Sequence, residues 1–152
     1  PMRRLLPKVL DVVRKYESNN PETILQMMRV KIHPHNISFL PDAFYVRLGG
    51  VRSISVNVRL PDDARNVVLA HELGHIVLRH HLSPIMHADR INDIRRDEKE
   101  LAANKFAFLL LAHTCLRNSA KMIDSIRDEK LLSLADTASL LKELECAACV
   151  YE

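Results

Sequence analysis

Little in this chain is repetitive or extreme, and each shortfall removes a class of protein. No stretch approaches 18 consecutive apolar residues, so no segment reads as a membrane span. No run of five Lys or Arg occurs, and a net charge of +3 is too mild to point to direct nucleic-acid binding. Cysteine occurs 3 times, as Cys115, Cys146 and Cys149, an odd count that argues against a disulfide framework. Near the start, Lys8 and Asp11 interrupt the apolar core that a signal peptide needs, so a reducing, cytoplasmic setting is expected. There is no internal repeat, no low-complexity segment and no domain linker. What remains is ordinary for a globular protein: 152 residues, 47% hydrophobic and 27% charged, enough for one domain with its own core.

Apolar spacing predicts a helix over Leu5 to Tyr16, with Leu6, Val9, Leu10 and Val13 facing inward and Pro7 in the first turn. A break at Ser18-Asn19-Asn20-Pro21 precedes a second helix over Pro21 to Val30. From Lys31 the pattern becomes strand-like, punctuated by His33-Pro34-His35-Asn36 and by the turn signal Pro41-Asp42. Phe44 to Leu48, Gly49-Gly50 and Val51 to Val58 then read as a β-hairpin, with Ile54, Val56 and Val58 on the buried face. Pro61-Asp62-Asp63 opens a helix expected to run to about His81. A loop over 82–92, a long helix from Asp93 to about Ala112 and two shorter helices near 120–129 and 134–151 complete the chain.

The first long helix carries His71-Glu72-Leu73-Gly74-His75. Two histidines four apart share one helical face, so both rings can reach one metal ion. The carboxylate between them is poorly placed to bind the same ion but well placed to touch a water on it. This is the donor pattern of a zinc hydrolase of peptide bonds. Such a site takes three protein ligands and leaves one position open. His81 stands six residues after His75, where one class of zinc peptidases has its third His. That class ends the helix with Gly three residues after the second His, and here that residue is Leu78. Glu100, on the next long helix, is the stronger candidate. Glu100, Ala103, Asn104 and Ala107 share a face, the two small alanines permit a close helix approach, and Asn104 can accept a hydrogen bond from a ligand ring. Glu98 is the fallback, about 200° round the helix. Cys146 and Cys149 form a C-x-x-C that, with His113 and Cys115, would make a second, structural zinc site. Cys115 capping the catalytic ion is a further option, set against a helix length of about 22 Å between Glu100 and Cys115.

Val67-Val68-Leu69-Ala70-His71-Glu72-Leu73-Gly74-His75, followed by Glu100-x-x-Ala103-Asn104-x-Phe106-Ala107-x-Leu109-Leu110, resembles the ImmA/IrrE family of zinc metallopeptidases. The resemblance covers roughly Pro21 to Leu111, and its specific part is Arg65 to Leu111. It implies one catalytic Zn2+ held by His71, His75 and Glu100, with Glu72 as the catalytic acid-base. It also implies a protein substrate, a helix-turn-helix repressor cut once to release phage, mobile-element or stress genes. Family members often follow the second motif with Met-Pro, whereas Leu110-Leu111-Ala112 continues here. No length is left for a fused DNA-binding domain, so the repressor is expected to be a separate polypeptide.

The expected architecture is α+β, a minimal zincin-like metallopeptidase fold. A small antiparallel sheet of about three strands packs on helices carrying the HExxH motif and the downstream Glu. Within a single domain 1–152, segment 1–20 supplies an N-terminal helix, 21–60 a helix and the sheet, 61–112 the zinc-site helices and 113–152 the C-terminal helices. In the implied chemistry, zinc lowers the pKa of a water to about 7 and Glu72 moves its proton to the leaving nitrogen. Tyr45, His80, His81 and His87 are candidate oxyanion donors. The edge of Val51–Val58 is a candidate for strand addition by the substrate. Two other readings share the zinc site: a non-catalytic regulator that binds a repressor, and a toxin-like protease with another cytoplasmic target.

Overall fold

Helix α1, Leu5–Tyr16, places Leu5, Leu6, Val9 and Val12 in the core, with Leu10 and Val13 at its margin. The computed structural model describes residues 5–80 and 93–112, together with Ser133, Asp136 and Ala138. The loop read over 82–92, the helix read near 120–129, most of the last predicted helix, His81, His87, His113 and all three cysteines lie outside the described residues.

Helix α2, Pro21–Met27, begins as its sequence dictates. The Asn20 side chain accepts hydrogen bonds from the Glu22 and Thr23 N–H groups at 3.0 and 3.2 Å, and Pro21 occupies the first turn, where a missing N–H costs nothing. It stops earlier than the predicted Val30. Arg29 takes the left-handed φ of 61°, and the N–H groups of Arg29 and Val30 close back onto Gln26 and Leu25 carbonyls at 3.0 and 2.9 Å. This closure satisfies the last carbonyls and folds Val30 onto the core.

Three strands follow: β1 (Lys31–His35), β2 (Ala43–Leu48) and β3 (Val51–Asn57). Gly49 and Gly50, at φ 55° and 80°, form the tight hairpin turn between β2 and β3, which only residues tolerant of positive φ make cheaply. The sheet corrects two expectations. Its order is β1-β3-β2, so β3 is the central strand and offers no free edge for an added strand. It is also mixed: β2 pairs with β3 antiparallel, but β1 pairs with β3 parallel, Ile32 beside Ile54. The segment after β1 carries the chain past the place β3 will fill, and the hairpin then returns β3 into that gap. Ile54 and Val56 are buried, whereas Val58, expected beside them, is beyond the strand end and exposed.

Helix α3, Asp62–Val77, starts at Pro61 with no side-chain cap, relying on Asp62 and Asp63 to oppose the positive end of the helix dipole. Arg65 on α3 forms a two-pronged ion pair with Glu22 on α2, one arm at 3.0 Å. Helix α4, Asp93–Ala112, keeps the predicted bounds. Leu69 and Leu73 of α3 meet Phe106, Leu109 and Leu110 of α4 in the core, all fully buried. The result is the α+β architecture of a minimal zincin-like fold. Among the described residues no helix is long and apolar enough to cross a membrane.

Candidate metal centre

The two long helices touch where both carry small residues. A Cβ added at Gly74 would lie 3.2 Å from the Ala103 Cα and carbonyl oxygen and 3.2 Å from Phe106 Cβ, so glycine sets the spacing there. On either side of Gly74 along the helix, His71 and His75 turn their rings toward α4. Their Nε2 atoms stand 3.0 Å apart, with ring planes at 86°. Glu100 of α4 places one carboxylate oxygen 2.9 Å from His71 Nε2 and the other 3.3 Å from His75 Nε2. Three electron-pair donors therefore converge, and ligand atoms from all three residues lie within 4.8 Å of one another. A positive charge among these donors, either a proton or a metal ion, would favour the arrangement.

The donor set tests which ion. A tetrahedral ion with bonds of about 2.0–2.1 Å separates its ligand atoms by roughly 3.3 Å, close to the spacings here. Calcium and magnesium demand oxygen ligands, six or more, which two imidazoles do not supply. The residues fit a zinc-class ion.

Each imidazole is held from behind. His71 Nδ1 lies 2.6 Å from Asn104 Oδ1, which accepts its proton, so that a neutral ring held this way keeps its lone pair on Nε2. His75 Nδ1 lies 2.9 Å from Nδ1 of His80. The His80 contact follows from another correction: α3 ends at Val77, not near His81. Leu78 is the C-cap and Arg79 adopts a left-handed φ of 57°. The helix thus stops at Leu78 without a glycine there, and His81 lies outside the described residues.

Electrostatics separate the roles. Burial raises the Glu72 carboxyl to about 7; the charge of His71 opposes this and that of Glu100 adds to it. Burial also disfavours ionised Glu100, but hydrogen bonds from His71 and His75 outweigh it and hold its carboxyl well below the usual range. Burial pulls the His71 imidazolium down, yet Glu100 and Glu72 more than compensate and its pKa rises. His80 is pushed down to about 4, by burial first and then by the charge of His75 and Lys99, so it is neutral near pH 7.

The structure thus brings together His71, His75, Glu100 and Asn104, with Glu72 buried beside them. Tyr45 is half-buried and packs against the hydrophobic core from the helix-facing side of β2. His80 sits behind His75. Sequence reasoning missed that contact because it depends on where α3 ends, and Arg79 gives no glycine-like signal of an end.

Comparison with known proteins follows the same stretch of chain. The model of the IrrE N-terminal-like domain, a peptidase family, matches residues 26–146. A Bacillus phage phi105 protein named "Uncharacterized immunity region protein 2" is 29% identical over 101 residues. The alignment takes in 66% of this chain and 63% of that protein, so the chain spans under two thirds of the relative's length.

Proposed function

We propose, from the premise that this chain belongs to the IrrE N-terminal-like peptidase family, that it is a zinc-dependent endopeptidase acting in the cytoplasm on a separate helix-turn-helix repressor. The observation that carries the reading is the convergence of His71, His75 and Glu100 beside the buried carboxyl of Glu72. A zinc ion held there supplies a Lewis acid for the scissile carbonyl and makes an adjacent water more acidic.

The chain's own residues do the rest. His71 and His75 would offer Nε2 lone pairs to the ion, and the Glu100 carboxylate would offset part of its charge. Glu72, whose burial in the metal-free chain raises its carboxyl well above the usual range, is suited to taking and giving a proton. It accepts the proton of the attacking water and hands it to the departing amine nitrogen. A site that merely bound metal for stability would have no use for a carboxyl buried beside its ligands, and burying one is costly. That argues against the non-catalytic regulator.

The name of the phage relative supports an immunity-circuit role, and repressor cleavage is the activity that would serve it. The test is co-expression of the chain with any helix-turn-helix repressor found encoded beside it, followed by intact-mass measurement of that repressor. A single new pair of fragments is expected with the parental chain and none with Glu72→Gln. Identical fragments with Glu72→Gln would refute the assignment.

A further inference from the structure

We infer that His80 is the positioning residue for His75, accepting its Nδ1 proton and thereby keeping the Nε2 lone pair aimed at the point shared with His71 and Glu100. The inference rests on reading that point as a metal site. Two ring nitrogens 2.9 Å apart share one proton, so the contact has two possible polarities. If His80 supplied the proton, neutral His75 would carry its own on Nε2, where it faces His71 Nε2 at 3.0 Å and Glu100 at 3.3 Å, and could not ligate. If His75 supplies it, both Nε2 atoms are free to bind an ion. Asn104 does the same for His71, from α4. The two ligand rings are thus set by partners from different elements, a carboxamide on the neighbouring helix and an imidazole just past the end of α3.

The backbone places His80 there deliberately. Arg79 and His80 donate to the carbonyls of Ile76 and His75 at 3.1 and 2.8 Å, so His80 is tied to His75 through main chain and ring together. Helix α2 closes by the same pattern, and the comparison is informative. There the two residues in the equivalent positions are Leu25 and Val30, both buried and apolar, which is what this turn needs for packing alone. At the end of α3 the pair is His75 and His80, their rings 5.1 Å apart and inclined at 62°. Of these two helix ends, the one that carries a ligand has an imidazole pair in place of the apolar pair.

The experiment compares zinc affinity of the parental chain, His80→Asn and His80→Leu by competition with a chromophoric chelator. Asparagine puts Oδ1 where the histidine has Nδ1 and restores the acceptor; leucine restores the apolar packing seen in α2 without one. His80→Leu should bind zinc about 10–100-fold more weakly and His80→Asn within about threefold of the parent. Thermal unfolding of the metal-free chains should show His80→Leu no less stable than the parent, which separates loss of positioning from loss of fold. Unchanged affinity in His80→Leu, or equal losses in both variants, overturns the inference and leaves the peptidase reading intact. A parental chain that binds no zinc overturns both. Ring nitrogen NMR on the zinc-loaded parental chain gives an answer without mutation: a proton on His75 Nδ1 and on His80 Nε2 supports the assignment, and a proton on His80 Nδ1 overturns it.

Discussion

Gly74→Ala should weaken metal binding more than it weakens the fold. The new Cβ would stand 3.2 Å from two backbone atoms of Ala103 and from Phe106 Cβ. Carbon atoms pack best at about 3.5–4.0 Å, and backbone atoms have no rotamer to escape into, so the helices must part by a few tenths of an ångström. Overfilling a packed contact costs about 1–3 kcal/mol. Against this, alanine in a helix interior is favoured over glycine by about 0.8–1.0 kcal/mol. The net loss of stability is therefore small, roughly 0–2 kcal/mol. The site is less forgiving. Glu100 lies one turn before Ala103 on the helix that is pushed away, and metal–ligand distances tolerate only about ±0.2 Å. Zinc affinity should fall at least about tenfold, equivalent to about 1.4 kcal/mol. Chelator competition measures the affinity, and urea unfolding of the metal-free chain measures the stability. A variant about 1 kcal/mol more stable with unchanged affinity, the behaviour of a solvent-facing helical glycine, would refute the close contact and the reasoning built on it.

Three further outcomes are expected. A folded carboxyl raised from 4.5 to about 7 binds its proton more tightly than the unfolded one, so Glu72 should make the metal-free chain less stable as pH climbs through that window, by at most about 3 kcal/mol. Glu72→Gln should remove that slope in urea midpoints taken at pH 5 and pH 8; the same slope in the variant would place its origin elsewhere. Glu22, whose carboxyl is lowered by hydrogen bonds from Arg65, contributes stability above its ordinary pKa that is lost in acid. Glu22→Gln should cost about 0.5–1 kcal/mol at pH 7, because the pair is only partly buried, and progressively less as pH falls through the lowered pKa of its carboxyl. A cost that does not shrink in acid would refute the pairing. Arg29→Gly should relieve the left-handed strain at φ 61° and raise the thermal midpoint slightly, a net gain of about 0.5 kcal/mol after the extra freedom of the unfolded chain is counted. A lower midpoint would mean that the arginine side chain contributes more than its backbone costs.

The parts of this molecule legible in its sequence are those whose determinants are local. His71 and His75 fall on one face because of helical periodicity alone, and the Gly49-Gly50 pair announces a hairpin because few other residues take two positive φ angles in a row. Helix α4 keeps its expected bounds, its charged first half giving way to the apolar run from Phe106 to Ala112. The misreadings share a different cause. Helices α2 and α3 end on Arg29 and Arg79, left-handed residues that carry no mark in a sequence whose 3 glycines are spent elsewhere. Apolar spacing alone therefore overruns both helices, and with α3 overrun it does not report the place of His80. The parallel pairing of β1 with β3 is set by where the hairpin returns in space, and no spacing rule along the chain reports that. The mixed sheet follows from this non-local step, as does the loss of β3 as a docking edge.

The site and the core are built on the same seam, so residues that offer no metal ligand still set the geometry of those that do. Ala103 and Ala107 are buried, and they stand on the stripe of α4 that carries Glu100 and Asn104. Their small size, with Gly74 opposite, lets the helices approach until a glutamate side chain spans the gap to both imidazoles. A longer side chain at any of these three positions would be accommodated by moving α4 outward, and the first contacts to break would be those of Glu100 at 2.9 and 3.3 Å and of Asn104 at 2.6 Å. The hydrophobic contacts of Phe106, Leu109 and Leu110 with α3 are non-directional and tolerate such a shift better. Packing substitutions along the seam should thus appear as defects of metal binding before they appear as defects of folding. The reverse does not hold, since truncating His71 or Glu100 removes no core volume.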